Sequence, residues 1–453
     1  MIRVDVSSTY QTIQGFGVMV PPHSEEHSSV YSHDFFDLLV NDLGCDIVRT
    51  MFLTQNGAVP DQGLLDIQLS DFADLVALKP DLKILASISS PPAAMKSADG
   101  RLNPGFMSAF GNYLFEMCDK FDRAGCPVYG MGLQNGPTCS PSLGYDRDGG
   151  PLSACTYDAE SYQKMFKVLC TLKGQWGSSV KLIASEDDFF LLPRVENFVD
   201  CIVSDPATAS YLDILGAQGY IDTSWGSLMV VRNSNPEAKL KDLYAASNIE
   251  FLDSVKQFGK EIWMLEDCSE APHWVESIDY DLVATPRDPH YIEMLPTASI
   301  DLALKIRSAL VDGGFSSYVY WLASTVPGDP VVQGIWGNDP EQALCHEGIP
   351  TCKYQAAKHF FKYVTPGMVR TYTSSTEVDS CAFISDDSIV VVLINDRDVI
   401  VDTVMDFSGI SVSSFTSYTS VENDYHQKDS GSVVGGRIDL SLLPNSITTF
   451  VVE

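Results

Sequence analysis

Between residues 14 and 364 the sequence alternates eight times between a short β-rich run and a longer stretch whose apolar residues recur at three- and four-residue spacing. Strands separated by helix-length segments cannot pair as hairpins, and parallel neighbours joined by helical crossovers are the arrangement that fits. The strands expected are Gln14–Met19, Asp46–Met51, Lys83–Ile88, Tyr129–Gln134, Val180–Ser185, Ile214–Gly219, Glu261–Glu266 and Ser317–Trp321. Helices are expected at Ser32–Leu43, Leu69–Lys79, Pro104–Ala124, Asp158–Gln175, Leu191–Val203, Leu240–Phe258 and Pro296–Asp312. Eight such units over roughly 350 residues predict an α/β fold, a (β/α)8 barrel with loop insertions spanning 14–364.

After Pro366-Gly367 the pattern changes to alternating, β-branched runs: Ser380–Ile384, Ser388–Asn395, Val399–Phe407, Ser413–Ser420 and Ser446–Val452. Gly and Asp turn signals separate them and no helical period is evident, so residues 365–453 read as a small antiparallel β-sandwich. Ile2–Val6 alternates in the same way, and segment 1–13 is expected to add a strand to that sandwich.

Sixty acidic residues against 29 basic ones give a net charge of −31, which repels phosphate backbones and anionic membrane surfaces. Nucleic acid is therefore not an expected partner. The longest apolar runs, such as Ile389–Ile394, fall far short of the ~20 residues that span a bilayer, so no membrane insertion is expected. The 11 cysteines form no CxxC pairs that would suggest a zinc ribbon. Cys139 with Cys155, and Cys345 with Cys352, flank loop-like segments and are disulfide candidates if the protein is secreted.

In such a barrel the side chains at the C-terminal ends of the strands build the active site. Those ends carry Arg49, Ser89-Ser90, Gln134-Asn135-Gly136, Glu186, Gln218 to Tyr220, Glu266-Asp267 and Trp321. Carboxylates, amides, an arginine and aromatics suit a carbohydrate, whose C–H faces pack on rings and whose hydroxyls take hydrogen bonds. The plainer reading is that Arg49 and Glu266 form a buried ion pair without catalytic duty.

Several segments, in the expected order, resemble glycoside hydrolase family 30, in the clan of retaining (β/α)8 glycosidases. Gln14-Gly15-Phe16-Gly17 resembles that family's opening motif, and Ser90-Pro91-Pro92-Ala93-Ala94-Met95-Lys96 its third-strand segment. Gly132-Leu133-Gln134-Asn135-Gly136-Pro137 resembles the fourth-strand Gln-Asn-Glu-Pro motif, and Trp263-Met264-Leu265-Glu266 the seventh-strand nucleophile motif. Pro366-Gly367-Met368-Val369-Arg370 is similar to the family's passage into the sandwich, and Ser446-Ile447-Thr448-Thr449 to its closing strand. The resemblance implies a β-glycosidase in which Glu266 is the nucleophile and Arg49 favours its charged form. It further implies that Asn135 binds the hydroxyl beside the anomeric centre, that Tyr220 orients the nucleophile, and that Trp321 floors the sugar site.

One departure bears on turnover. The family's acid/base carboxylate belongs where this chain has Gly136, and a retaining mechanism needs that second carboxyl to protonate the leaving oxygen and activate water. Three explanations stay open: an inactivating substitution, a natural loss that leaves a sugar-binding barrel, or relocation of the acid. Relocation candidates are Asp146 and Asp148 in the Gly144–Gly150 loop, and Glu186 at the end of the fifth strand. The family's third-strand tryptophan positions are Ser89 and Ala94 here, which implies weaker stacking and a more open pocket.

His23-Ser24-Glu25-Glu26-His27 matches H-x-x-E-H, a zinc-peptidase signature, but follows the first barrel strand instead of lying in a peptidase fold. Gly130-x-Gly132-x-x-x-Gly136 has the wrong spacing for a dinucleotide fingerprint. The expectation is a retaining β-glycoside hydrolase acting on a xylan-, β-glucan- or galactan-like polysaccharide or oligosaccharide. A non-catalytic carbohydrate-binding barrel is the alternative and a zinc peptidase a distant third. No cofactor or metal is expected; a secreted location is expected over a cytoplasmic one; the sequence sets no oligomeric state.

Overall fold

The computed structural model describes residues 1–22, 29–53, 62–137, 155–188, 192–220, 225–269, 298–325, 343–407 and 409–453. After an N-terminal strand β1 (Ile2–Thr12), eight strands close into a barrel. They are β2 (Gly15–Met19), β3 (Ile47–Met51), β4 (Lys83–Ser87), β5 (Val128–Gly132), β6 (Lys181–Asp188), β7 (Leu212–Gln218), β8 (Glu261–Asp267) and β9 (Ser317–Tyr320). Each pairs in parallel with its neighbours, and β2 closes the ring on β9. Ile47, Leu85, Ile183, Ile214, Trp263, Leu265 and Val319 point inward and fill the barrel, so its interior is a packed core and the site must lie at its mouth.

The crossover helices start where the sequence offers caps. Ser32 accepts from the Phe35 N–H to open helix His33–Asp37, which runs on as a π-helical turn through Leu43. Asp158 and Ser161 form a reciprocal capping box at helix Ala159–Trp176. Several helices differ from expectation, among them Trp225–Ser234 and the short Pro206–Ala209, where none is expected. Helix Gln62–Leu78 begins earlier than Leu69, and Gln68 within it is buried because its amide donates to Thr50 Oγ1 and the Met51 carbonyl. Helix Cys352–Phe361 was not anticipated; it buries Lys353 and His359 fully, and polar residues at inward positions erase the apolar period.

A two-stranded ribbon, β10 (Cys345–His346) and β11 (Ile349–Pro350), precedes that helix. The C-terminal strands are β12 (Val369–Ser374), β13 (Asp379–Ile384), β14 (Ile389–Asn395), β15 (Val401–Asp406), β16 (Ser414–Val421), β17 (Asp424–Ser432), β18 (Arg437–Leu442) and β19 (Ser446–Val452). With β1 they form one hydrogen-bonded sheet in the order β17-β16-β19-β14-β13-β12-β1-β15-β18. Its pairs are antiparallel except β1 with β15, which run parallel. Ile389, Val391 and Leu393 of β14 pack with Ile2, Val4, Met405 and Ile438, which lie at opposite parts of that sheet order, so the sheet wraps over a core of its own. Val390, Val392 and Ile394 face the barrel core instead. Burial on both faces explains why this run is continuously apolar where an exposed strand would alternate. Strands β12, β17 and β18 lie outside the expected runs, and β17 is mostly exposed and polar, which removes the alternation that marks a half-buried strand.

Candidate active site

Two irregularities in strand pairing set the geometry of the barrel mouth. Along β6 the pairing with β7 passes from Ser185 opposite Gly216 to Asp187 opposite Ala217, so Glu186 is an extra residue. Its backbone is left-handed, with φ +64°. Along β8 the pairing with β7 passes from Met264 opposite Ala217 to Glu266 opposite Gln218, which makes Leu265 the extra residue. A bulge breaks the two-residue alternation and re-aims side chains. Here it turns both carboxylates toward Arg49, which shares the inward face of Ile47 two residues earlier on β3.

Arg49 serves three partners. Its Nη1 donates to Glu266 Oε2 at 2.5 Å, and its Nη2 donates to Glu186 Oε2 at 3.0 Å and to Asn135 Oδ1 at 2.7 Å. The Tyr220 hydroxyl donates to Glu266 Oε1 at 2.9 Å. Gln218 Nε2 donates to Asn135 Oδ1 at 2.6 Å and to the Glu186 carbonyl at 3.2 Å. With Oδ1 taken by two donors, the amide NH2 of Asn135 is the group left to meet a ligand.

The cluster is dry. Arg49 and Glu186 are each 1% exposed, and Glu266 is 6% exposed. Burial opposes the charge on Arg49, but Glu266 and Glu186 outweigh it and raise the arginine's pKa. Burial pushes Glu186 up to about 7 against the pull of Arg49. Burial, and then the neighbouring Glu266, keep the Tyr220 phenol protonated far above its ordinary range, as a hydrogen-bond donor must be. Glu186 Oε1 occupies the space where Gly132 lacks a side chain, a Cβ there sitting 1.2 Å from it, and the Ser87 hydroxyl is the further polar group at this carboxyl.

Asp267, next to Glu266, turns the other way. It accepts from Lys305 Nζ and the Tyr318 hydroxyl, each at 2.7 Å. Lys305 also donates to the Cys268 carbonyl at 2.7 Å, and Lys353 to the Ser269 carbonyl at 2.9 Å. Two buried lysines thus fix the chain immediately after Glu266, with their charge satisfied by Asp267 and backbone dipoles.

Of the residues singled out from sequence, Arg49, Asn135, Glu186, Tyr220 and Glu266 lie in one hydrogen-bonded cluster. Gly136 is buried beside it, its N–H donating to the Glu186 carbonyl at 3.0 Å, with φ +57° in the region that favours glycine. Trp321 is half-buried, packed with Met19, Met51, Leu322 and Ala343, and its backbone N–H donates to the Asp267 carbonyl at 2.8 Å. Asp146 and Asp148, along with Cys139 and the His23-x-x-Glu26-His27 motif, lie outside the described residues. Cys155 and Cys345 are free thiols, so Cys345 is not bridged to Cys352. No group of three or more metal-binding side chains occurs among the described residues. Gln218 is among the strand-end amides that the sequence places at the mouth, here bonded to Asn135 and Glu186; Gly132 has no role in the sequence reading, and a glycine inside a strand, which often marks close approach of another group, is the signal for it.

The chain is 23% identical over 475 residues to glucuronoxylanase XynC of Bacillus subtilis (strain 168), covering 100% of this chain and 92% of that protein. The glycoside hydrolase family 30 subfamily 8 xylanase Xyn30A from Clostridium acetobutylicum superposes with a TM-score of 0.70 at 22% identity, covering 100% of this chain and 99% of that one. An endo-β1,6-glucanase superposes with a TM-score of 0.69 at 15% identity, covering 99% and 94%. No family model matches the chain. The barrel and its attached sheet are the fold of glycoside hydrolase family 30.

Proposed function

We propose that this chain, built on the fold of glycoside hydrolase family 30, carries the site of a retaining β-glycoside hydrolase acting on a polysaccharide or oligosaccharide. The observation that carries the reading is the clamp on Glu266, one oxygen on Arg49 and the other on Tyr220, at the mouth of the barrel. Two donors hold a carboxylate at a fixed angle in a dry site, which suits attack on an anomeric carbon. Glu266 displaces the aglycone, whose oxygen leaves with the electron pair of the broken bond, and becomes a glycosyl ester. Water then attacks the same carbon from the opposite side, its proton passing to solvent, and the electron pair of the broken ester bond returns to Glu266, so configuration is retained. The Asn135 amide meets the hydroxyl next to the anomeric centre, and Trp321 floors the sugar.

Gly136 has no group to protonate a leaving oxygen, and Glu186 is engaged through one oxygen with Arg49 and packed through the other against Gly132. We assign the acid role to neither, and the relocation candidates that remain are Asp146 and Asp148. Substrates whose aglycone departs as a stable anion are the ones this cluster can cleave unaided. Likeness to a glucuronoxylanase and an endo-β1,6-glucanase supports a xylan- or β-glucan-like substrate. A polymer of that kind does not cross a membrane, so we place the protein outside the cell. Gly136 favours one second reading, a barrel that binds sugar without cleaving it.

Dinitrophenyl β-xyloside and β-glucoside separate the two, because dinitrophenolate leaves without a proton. The hydrolase reading expects turnover, with the β anomer appearing first by proton NMR. First appearance of the α anomer would contradict it. Binding of xylo- or gluco-oligosaccharides without turnover of either compound would establish the second reading.

A further inference from the structure

We infer that Glu186 is a proton-holding positioning residue, uncharged in the resting site so that the charge of Arg49 goes to Glu266, and ionised when Glu266 becomes a glycosyl ester. The inference rests on the reading of Glu266 as the nucleophile.

One guanidinium faces two carboxyl groups, through Nη1 at 2.5 Å and Nη2 at 3.0 Å. Were both ionised, a net negative charge would remain buried, and a dry site resists that. Geometry decides which gives way. Glu266 has both oxygens served, by Arg49 and Tyr220, and is the more exposed of the two. Glu186 has one oxygen on Arg49 and the other packed into the space left by the missing side chain of Gly132, on a left-handed backbone, with the Ser87 hydroxyl as its one neutral donor among the described residues. The groups facing it from neighbouring elements are Arg49 on β3, the Ser87 hydroxyl on β4, Tyr162 on helix Ala159–Trp176 and Glu266 on β8, with Asp187 adjacent on β6. Among these described residues Arg49 is the one cation. Burial is the chief cause that lifts Glu186 to about 7; Arg49 and the Ser87 hydroxyl oppose it and Glu266 adds to it.

When Glu266 attacks the sugar, the bond from the anomeric carbon to the aglycone breaks and the electron pair departs with the aglycone. Glu266 is then a neutral ester, and Arg49 has only Glu186 to pair with. The O–H bond of Glu186 breaks, its electron pair stays on the carboxylate and the proton passes to solvent. Hydrolysis reverses this: water's oxygen bonds to the sugar, water's proton goes to solvent, Glu266 regains its charge and Glu186 takes a proton back.

The first test needs no substrate. Glu186 is raised from about 4.5 to about 7, so the folded state holds its proton more tightly than the unfolded chain. Its contribution to stability is full below about 4.5 and is lost as pH rises toward about 7. Melting temperatures of the wild type relative to Glu186→Gln should fall across that window. With Glu266→Gln as a neutral stand-in for the ester, Arg49 pairs with Glu186 alone, and the fall relative to the double variant should shift down by about one pH unit or more. A flat difference, or the same midpoint in both backgrounds, overturns the inference.

The second test uses the wild type, in case Glu186→Gln does not fold. Trapping with 2-deoxy-2-fluoro-β-xylosyl or -glucosyl fluoride at pH 6 should release about one proton per labelled chain into weakly buffered indicator dye. Labelling of Glu266 without proton release overturns the inference and leaves the nucleophile reading intact. A shifted stability midpoint with no labelling by either fluoride supports charge sharing at Arg49 and contradicts the nucleophile reading.

Discussion

Arg49 Nη1 and Glu266 Oε2 are 2.5 Å apart at the barrel mouth, and the same guanidinium reaches Glu186 and Asn135 through Nη2. A planar fork is what lets one cation address two carboxyl groups and an amide oxygen together. Lysine, a point charge on a flexible stem, cannot hold the three at once.

Arg49→Lys should therefore slow the first step on a dinitrophenyl glycoside by roughly 10²–10³-fold, the scale seen when one preorganised donor is lost. Stopped-flow release of dinitrophenolate measures it. An unchanged rate would show that Arg49 is only a structural partner of Glu266.

Gly136 offers a gain-of-function experiment. Gly136→Glu supplies a carboxyl where none stands, and should raise hydrolysis of an unactivated β-glycoside by about 10²-fold. The φ of +57° at this position means the substitution also costs stability, on the order of 1–2 kcal/mol. Both readouts, turnover and melting temperature, should move. Azide should accelerate turnover of activated substrates by the wild type, since no carboxylate at 136 repels the anion or activates water in its place, and should help Gly136→Glu far less. If the wild type already cleaves natural polysaccharide at ordinary rates and Gly136→Glu is neutral or harmful, the acid lies elsewhere, and Asp146 and Asp148 are the next residues to replace.

The barrel and the sheet meet at a second titratable site. His359, on helix Cys352–Phe361, lies between Thr449 Oγ1 and Ser420 Oγ at 2.8 Å each, and its ring stacks on His426 with centroids 4.4 Å apart. Burial chiefly lowers both histidines, His359 far below 6.5 and His426 from 6.5 to about 4. A base with a lowered folded pKa stabilises fully above about 6.5 and loses that contribution as pH falls toward about 4. Melting temperature should drop across this window, and His426→Gln should flatten part of the drop. Parallel curves for the two proteins would contradict the assignment.

Much of the barrel is legible in the sequence because its strands are mostly buried on both faces and helices such as Met107–Arg123 and Ala159–Trp176 on one, so hydrophobic period and element type coincide. The same physics hides the exceptions. Helix Cys352–Phe361 buries a lysine and a histidine that are satisfied by a backbone carbonyl and by hydroxyls, and no hydropathy pattern reveals partners distant in the chain. At the site, the strand-end rule selects Arg49, Asn135, Tyr220 and Glu266, and the structure gathers them. It does not select their orientation. The bulges at Glu186 and Leu265 decide that both carboxylates face Arg49 while Asp267 faces Lys305, and a one-residue slip in pairing leaves no mark in the local sequence.

The central claim is that Glu266 is the group that bonds to sugar. Incubation with dinitrophenyl 2-deoxy-2-fluoro-β-xyloside or -glucoside, followed by peptide mass mapping, tests it most directly. The account predicts a single glycosyl adduct on Glu266, formed by the wild type and absent from Glu266→Gln. An adduct on any other residue, or full activity in Glu266→Gln, would contradict it.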